Sequence, residues 1–519
     1  MIYFIPAWYA NGHFREYEPF WYERQMKAEA DDTVKQLQLF HGDSDYDSSI
    51  LLLSYAPNLR HFLHRQGIFR VPYWSVFDAI QEVRQKKQAL FSFQQLKWPE
   101  NTEFVYTLFA VYAKQSQEKY EKLEFGADGN LTELHEYQNG QLVRKNIYDD
   151  RGFLSCSVFF DKGERLYDTY WTDQGVWKLR HFADDHVEIN PLRNQYLIDV
   201  DGEANSVSFA KSMYPSMDTV VEEVLATFLQ TTRKTDVFCA AVHETHIAML
   251  GRQLAGRRSI FSMFENRFSI EKNRELLPVL ARGGALVADT WENLKLLSKE
   301  KTLEHTFKVK IPPYAVQFTP GISQQLKVQK ILFPTDHLSP ELLEAGIKAM
   351  AQYLAENKMA RVCLFTRDNG FNRKAELEAQ VHRILEGNDF SGLAPLFTAE
   401  QCVDELAVNN CMREQRILLD LSYNPELLLQ ISAVSAGIPQ IVKIATEYVH
   451  PGKNGRINRD TLRLGEDLDY YLANLSHWNE AALYSHEIGK AHTAQRLTGR
   501  WKKVVEQIEN GASIAAGGN

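Results

Sequence analysis

The sequence predicts an α/β chain of two doubly wound, Rossmann-like domains, the first interrupted by an antiparallel β-meander. Three observations carry that reading. Short apolar runs alternate with helical stretches of ten or more residues up to about residue 100 and again from about residue 213, the pattern of parallel sheets covered on both faces. Between these regions Gly129, Gly140, Gly152, Gly163 and Gly175 recur every eleven or twelve residues, each behind a polar or turn-forming residue. Further on, FKVKIPPYAVQFTPGISQQ (307–325) sets two prolines together and Pro320 before Gly321, which no helix interior accommodates, and so marks a linker.

The first domain opens with the apolar strand YFIPAW, a loop at Asn11-Gly12 and a charged helical stretch. A second strand, ILLLSYAP (50–57), leads into the helix NLRHFLHRQG, and a charged helix through DAIQEVRQKKQAL precedes the meander. Between and directly after the periodic glycines lie ELHEYQ, LVRKNIYD, LSCSVFF, RLYDTYW and VWKLRHF. Aromatic and branched residues suit pleated strands and glycine supplies positive φ, which predicts about six strands joined by hairpins. The α/β pattern resumes with a helix VVEEVLATFLQ, a strand DVFCAAV, a helix near MLGRQLA and a strand ALVADT. The second domain alternates strictly: KILFPTD, SPELLEAGIKAMAQYLAEN, ARVCLFTRD, KAELEAQVHRIL, RILLDLSY, ELLLQISAVSAG and QIVKIATEY, then a charged C-terminal helix. The expected divisions are 1–100 and 213–322 for the first Rossmann-like domain, 101–212 for the meander, and 323–510 for the second domain with its helix.

Composition narrows the class. At 519 residues a single core is not expected, and 44% hydrophobic with 24% charged residues is ordinary for a globular chain. A net charge of −9 without a long basic block argues against nucleic acid as a partner. Five scattered cysteines with no C-x-x-C pair suit a reducing compartment and provide no zinc ribbon. The N-terminus lacks the basic start and apolar stretch of a signal peptide, and no segment reaches the roughly 18 apolar residues of a membrane span. A cytoplasmic protein is the expectation.

The phrases LLLSYAPNLRHFLHRQG, VPYWSVFDAIQ and YDDRGFLSCSVFFDKGERLYDTYW, with the domain order, resemble the family of the first accessory secretory protein of the accessory Sec system. That likeness runs from residue 1 to about 510. The two domains also look like the GT-B arrangement of retaining, nucleotide-sugar-using glycosyltransferases. The meander resembles the extended β-domain of the enzymes that place the first sugars on Ser-rich adhesins.

The resemblance implies a catalytic signature, which is incomplete here. Active members carry two glutamates separated by seven residues, the second just ahead of a small-Gly-apolar-Pro turn. The turn stands as Ala436-Gly437-Ile438-Pro439, which puts Ser432 at the second glutamate and Asn424 at the first. Neither brings the carboxylate that would support charge developing at the sugar. Glu426, two residues from the first position, is the alternative carboxylate. Active relatives also clamp the donor diphosphate with an Arg and, five residues on, a Lys; here His337 and Leu342 take those places, beside Asp336 and Glu341. The chain is therefore expected not to be an enzyme.

Other clusters keep two readings each. His243-Glu244-Thr245-His246 follows DVFCAAV but is one residue short of the zinc motif His-Glu-x-x-His, so no metal and no cofactor are expected. It reads as a cleft-lining loop that hydrogen-bonds sugar hydroxyls, or as an ordinary polar loop. Trp8 and Tyr9, with Phe14 and Tyr17, either stack on pyranose faces or pack in the core. In the meander Tyr167, Tyr170, Trp171, Trp177 and Phe182 are candidates for a partner-contact patch, about half of them belonging to the sheet's core. Arg500, Lys502 and Lys503 offer a peripheral membrane contact, or simply a solvated helix face.

The expected function is a non-catalytic glycosyltransferase-like component that recognises a glycosylated Ser-rich adhesin and supports its export. By resemblance its partners would be the other accessory secretory proteins, the accessory secretion ATPase and the adhesin itself. Two alternatives stand: an active retaining glycosyltransferase with a displaced signature, and an assembly scaffold that binds no sugar.

Overall fold

The structure, a computed structural model, describes residues 1–9, 31–41, 46–126, 129–200, 203–265, 267–368, 370, 372–387 and 389–516. The described residues divide into two compact units, 1–9 with 31–311 and 502–516, and 312–501. Residues 502–510, expected with the second domain, are thus counted with the first. There Glu509 accepts a hydrogen bond from Arg258 Nη1 (3.2 Å), and Ile508 packs where a Cβ on Gly284 would stand.

The first unit is built on a seven-stranded sheet in which every pair is parallel. Its spatial order is Lys308–Lys310, Ala285–Ala288, Arg258–Met263, Val237–Ala241, Ile2–Ile5, Ser48–Leu52, Tyr73–Ser75. Numbered along the chain, the strand order reverses between Ile2–Ile5 and Val237–Ala241, as in a doubly wound sheet. Continuous apolar runs make these strands: VFCAA at 237–241 is buried at every position, as a strand with helices on both faces must be.

The meander is larger than the glycine period suggested. Ten antiparallel strands run from Glu103–Tyr106 to Met213–Tyr214, because short flanking strands such as Val111–Lys114 and Val187–Ile189 extend the glycine-marked hairpins. Two of those hairpins turn on two residues with both φ positive, Asn139 (52°) with Gly140 (75°) and Lys162 (49°) with Gly163 (87°). That is the type I′ geometry whose twist matches the flanking strands. A further hairpin, Gln195–Val200 with Glu203–Ser208, stands as its own two-stranded sheet.

The meander is not merely hung on its host. Ile147, Cys156, Tyr170, Leu179, Val187 and Ile189 share one hydrophobic cluster with Leu51, Phe77, Val220 and Phe238 of the Rossmann-like part. A buried ionic lock fastens the hairpin turn before Gly152. Arg151 is bidentate to Asp149 (2.7 and 2.7 Å) and to Asp78 (2.8 and 2.7 Å), while Arg60 bonds Asp149 (3.0 Å) and pairs with Asp150. The charged helix expected through DAIQEVRQKKQAL stops after Val76–Ile80, and Glu82 takes φ 53°. Its next residue, Gln81, spends its amide on the carbonyls of Ser155 (2.8 Å) and Trp171 (2.6 Å) in the meander, so tertiary bonding overrides helix propensity.

The second unit repeats the architecture with a six-stranded parallel sheet: Phe397–Gln401, Ala360–Thr366, Gln329–Pro334, Ile417–Asp420, Gln440–Val442, Gly455–Ile457. Its order reverses between Gln329–Pro334 and Ile417–Asp420. The C-terminal region is two helices, Leu475–Ala491 and Ala494–Ala516, rather than one.

Candidate functional site

Ligands of open parallel sheets bind outside the carboxyl ends of the strands, at the point where the order reverses. In the first unit that point gathers Trp8 and Tyr9, which follow Ile2–Ile5, and His243 to His246, which follow Val237–Ala241. The sequence loop Ala10–His13, with Phe14 and Tyr17, lies outside the described residues.

Two of these candidates are structural. Trp8 is buried, its ring edge-on to Phe62 at 4.9 Å, and so belongs to the core instead of offering a face to a sugar. His246 is fully buried. Its Nε2–H donates to the Ala241 carbonyl (2.6 Å), which leaves Nδ1 to accept from the Tyr9 hydroxyl (2.7 Å). Burial holds its pKa down to about 3, so the ring stays neutral and positions Tyr9. His243 caps the helix Glu244–Gln253, Nδ1 accepting from Thr245 N–H (3.1 Å), while its ring stands 5.1 Å from that of Tyr9. Half-buried Tyr9 and His243, with exposed Glu244, form the accessible polar edge of this end of the sheet.

Beneath them lies a network absent from the sequence-derived candidates. Arg267 is bidentate to buried Asp32 (2.6 and 2.9 Å) and donates to the carbonyls of Val242 (3.0 Å) and Ser262 (3.1 Å). The Ser262 hydroxyl donates to Asp32 (2.6 Å).

In the second unit the reversal point brings Asp336 and His337 together with Ser422, Asn424 and Glu426. The Ser422 hydroxyl donates to the His337 carbonyl (3.4 Å) and accepts from Asn424 N–H (2.9 Å). His337 and Asn424 are exposed. Ser432, at the second-glutamate position, is buried within the helix Leu427–Ala436, and its hydroxyl has no hydrogen-bond partner in the structure. It is not a surface for sugar. Leu342 packs against the hydrophobic core, its backbone N–H spent on the Ser339 cap. Glu426 is tied to Arg367, whose guanidinium also donates to the Val403 carbonyl (3.2 Å).

Arg367 is the site cation that sequence reasoning missed, although a charged residue directly after the buried strand Ala360–Thr366 was the signal for it. Asp336 accepts from the Thr366 hydroxyl (2.6 Å) and from Arg367 N–H (2.7 Å). Asp420 ends its strand only 1% exposed; one oxygen accepts from Ser422 N–H (2.9 Å) and the other has no hydrogen-bond partner among the described residues. Burial, reinforced by Glu426, pushes its pKa up to about 7. Tyr423 stands 72% exposed beside Asn424. The exposed groups of this edge are Tyr423, Asn424, His337 and Asp336, while the Arg367 guanidinium is turned to Glu426 and the Val403 carbonyl.

The meander candidates separate by face. Tyr170 is 3% exposed, edge-on to Tyr55 at 5.3 Å in the shared core, which removes it from any contact patch. Tyr167 lies on the other face, stacked on Phe159 (4.8 Å) and beside Phe182 (5.4 Å). Arg180 spans the rings of Tyr167 (5.6 Å) and Trp177 (4.7 Å), and half-buried Trp171 donates its indole N–H to Ser157 (3.0 Å).

Two doubly wound sheets with an inserted meander define a glycosyltransferase-like fold of the GT-B class, and solved structures agree. The chain is similar to the pneumococcal O-GlcNAc transferase GtfA at a TM-score of 0.70 and 12% identity, over 98% of each chain. The chain belongs to the accessory Sec system family of the first accessory secretory protein, whose profile matches residues 1–391 and 391–508. It is 29% identical to the members from Streptococcus gordonii and from Staphylococcus aureus, each comparison covering 98% of this chain and 99% of the relative. It is also similar, at a TM-score of 0.81 and 28% identity over 98% of this chain and 100% of the other, to a chain in the crystal structure of accessory secretory proteins 1, 2 and 3 from Streptococcus pneumoniae. No helix among the described residues is long and apolar enough to cross a membrane.

Proposed function

We propose that this chain is a catalytically silent, glycosyltransferase-like adaptor that recognises a glycosylated Ser-rich adhesin in the cytoplasm and supports its export. It acts with the other accessory secretory proteins and the accessory secretion ATPase, and it touches the inner face of the membrane at most peripherally. One observation carries the reading: Glu426, the carboxylate nearest the first-glutamate position, is neutralised by Arg367, while Asn424, buried Ser432, His337 and Leu342 fill the other signature positions. A transferase must stabilise positive charge at the sugar and negative charge at the leaving diphosphate. Here the carboxylate is occupied, His337 and Leu342 stand at the cation positions, and Asp336 and Glu341 beside them add negative charge.

Sugar contact falls to the accessible groups: Tyr9, His243 and Glu244 in the first unit, and Tyr423, Asn424 and His337 in the second. The Tyr167, Trp177 and Trp171 face of the meander is the protein-contact surface, since aromatic rings spaced by guanidinium groups suit a protein partner better than bare solvent. The purified protein neither hydrolyses nor transfers from UDP-N-acetylglucosamine. Turnover above a no-enzyme control that Glu426→Ala abolishes would establish the active transferase instead.

A further inference from the structure

We propose that the free edge of the strand Glu203–Ser208 docks an edge strand of another accessory secretory protein by β-strand addition, a reading that rests on the partnership proposed above. Strand registry fixes which backbone groups are available. Phe209 N–H donates to the Asn194 carbonyl (2.8 Å), and residues pair across the hairpin as Tyr196 with Val207, Ile198 with Asn205 and Val200 with Glu203. Hydrogen-bonded pairs alternate in an antiparallel ladder. The amides and carbonyls of Glu203, Asn205 and Val207 therefore face Gln195–Val200, and those of Ala204, Ser206 and Ser208 face outward.

The hairpin is a two-stranded sheet with no strand beyond Glu203–Ser208 among the described residues, and Glu203–Ser208 is exposed apart from half-buried Val207. Its inner strand is anchored: Tyr196 and Ile198 are in the core, and the Tyr196 hydroxyl bonds Thr227 at 2.8 Å. A rigid, open ladder is thus presented to solvent. Exposed edges are normally blunted by proline, lysine or a bulge. This one, EANSVS, has no proline and no lysine, and its register with Gln195–Val200 runs without a shift. Ala204, Ser206 and Ser208 leave room for a close backbone approach.

The energetics choose the occupant. A net hydrogen bond gains less than the entropy lost when one residue of a flexible chain is fixed. Three outward residues alone cannot order a free peptide. A strand already ordered within a folded partner avoids that cost. Folded accessory secretory proteins are what the similar structure from Streptococcus pneumoniae contains besides its counterpart of this chain.

The test co-expresses this chain with proteins 2 and 3 of the same system and measures amide exchange across 203–208, free and in the complex. The expected result is that the amides of Ala204, Ser206 and Ser208 exchange readily in the free protein and about tenfold or more slowly in the complex. Ser206→Pro, which removes an outward N–H and no ladder bond, should cut recovery of the complex by about tenfold while leaving the melting temperature near that of the parent. Unchanged exchange, or full recovery with Ser206→Pro, would overturn the edge and leave the partnership standing. Failure of the parent chain to form a complex would overturn both. A dimer of this chain alone that Ser206→Pro dissociates would also overturn the proposal, making a second copy the occupant.

Discussion

Asp420 and His246 tie pH to stability in opposite senses, one in each unit. A buried carboxyl raised to about 7 is neutral in the fold and ionised in the unfolded chain above about pH 4. Its contribution is fully present below pH 4 and is lost as pH rises through 7. Asp420→Asn keeps the shape and removes that loss, so it should stabilise the second unit at pH 8 by at most about 4 kcal/mol and change little at pH 4. His246 is the reverse case, lowered to about 3 against about 6.5 unfolded, so its contribution is present above pH 6.5 and fades as pH falls toward 3. His246→Gln should flatten that acid limb in thermal melts recorded across pH 3 to 7. If neither variant changes the pH profile, the burial assigned to these groups is wrong.

At the scale of elements, the meander and the Rossmann-like sheet share one core, and two substitutions on the same strand should show it. Tyr170→Ala opens that core and should cost about 3–5 kcal/mol. Tyr167→Glu, on the opposite face, should leave the melt nearly unchanged and abolish co-purification of an accessory partner; a collapsed melt would make that face core as well. Arg151→Leu leaves Asp78 without its cation and buried Asp149 with Arg60 alone, and should cost about 3–5 kcal/mol in denaturant titration. These contrasts explain what the sequence could show. Alternating αβ runs and the glycine period are local signals, so the two sheets and the hairpins were legible. In RLYDTYW the period of two separates Tyr167 from Tyr170, yet only the fold says which face is covered. The bond from Arg60 to Asp149 spans 89 positions, and nothing local announces it. The same holds at the site: Asn424 and Ser432 could be counted back from the Gly437-Pro439 turn, whereas the burial of Ser432, Trp8 and His246 follows from the fold around them.

At the scale of the molecule, each unit is a doubly wound sheet with an ion pair near its reversal point, Arg267 with Asp32 in one and Arg367 with Glu426 in the other. In the function proposed above, the exposed hydroxyl-bonding and ring-stacking groups at these edges are the saccharide contacts. A few hydrogen bonds and one stacked ring per sugar support an affinity on the order of millimolar, about −4 kcal/mol, and many sugars on one chain raise it by rebinding. The most direct test is calorimetry of this protein with a Ser-rich peptide carrying several N-acetylglucosamine residues, against the same peptide bare. The expected result is measurable binding of the glycosylated peptide, strengthening with the number of sugars, and none of the bare one. Equal binding of the two would contradict it and leave an assembly scaffold that reads no sugar.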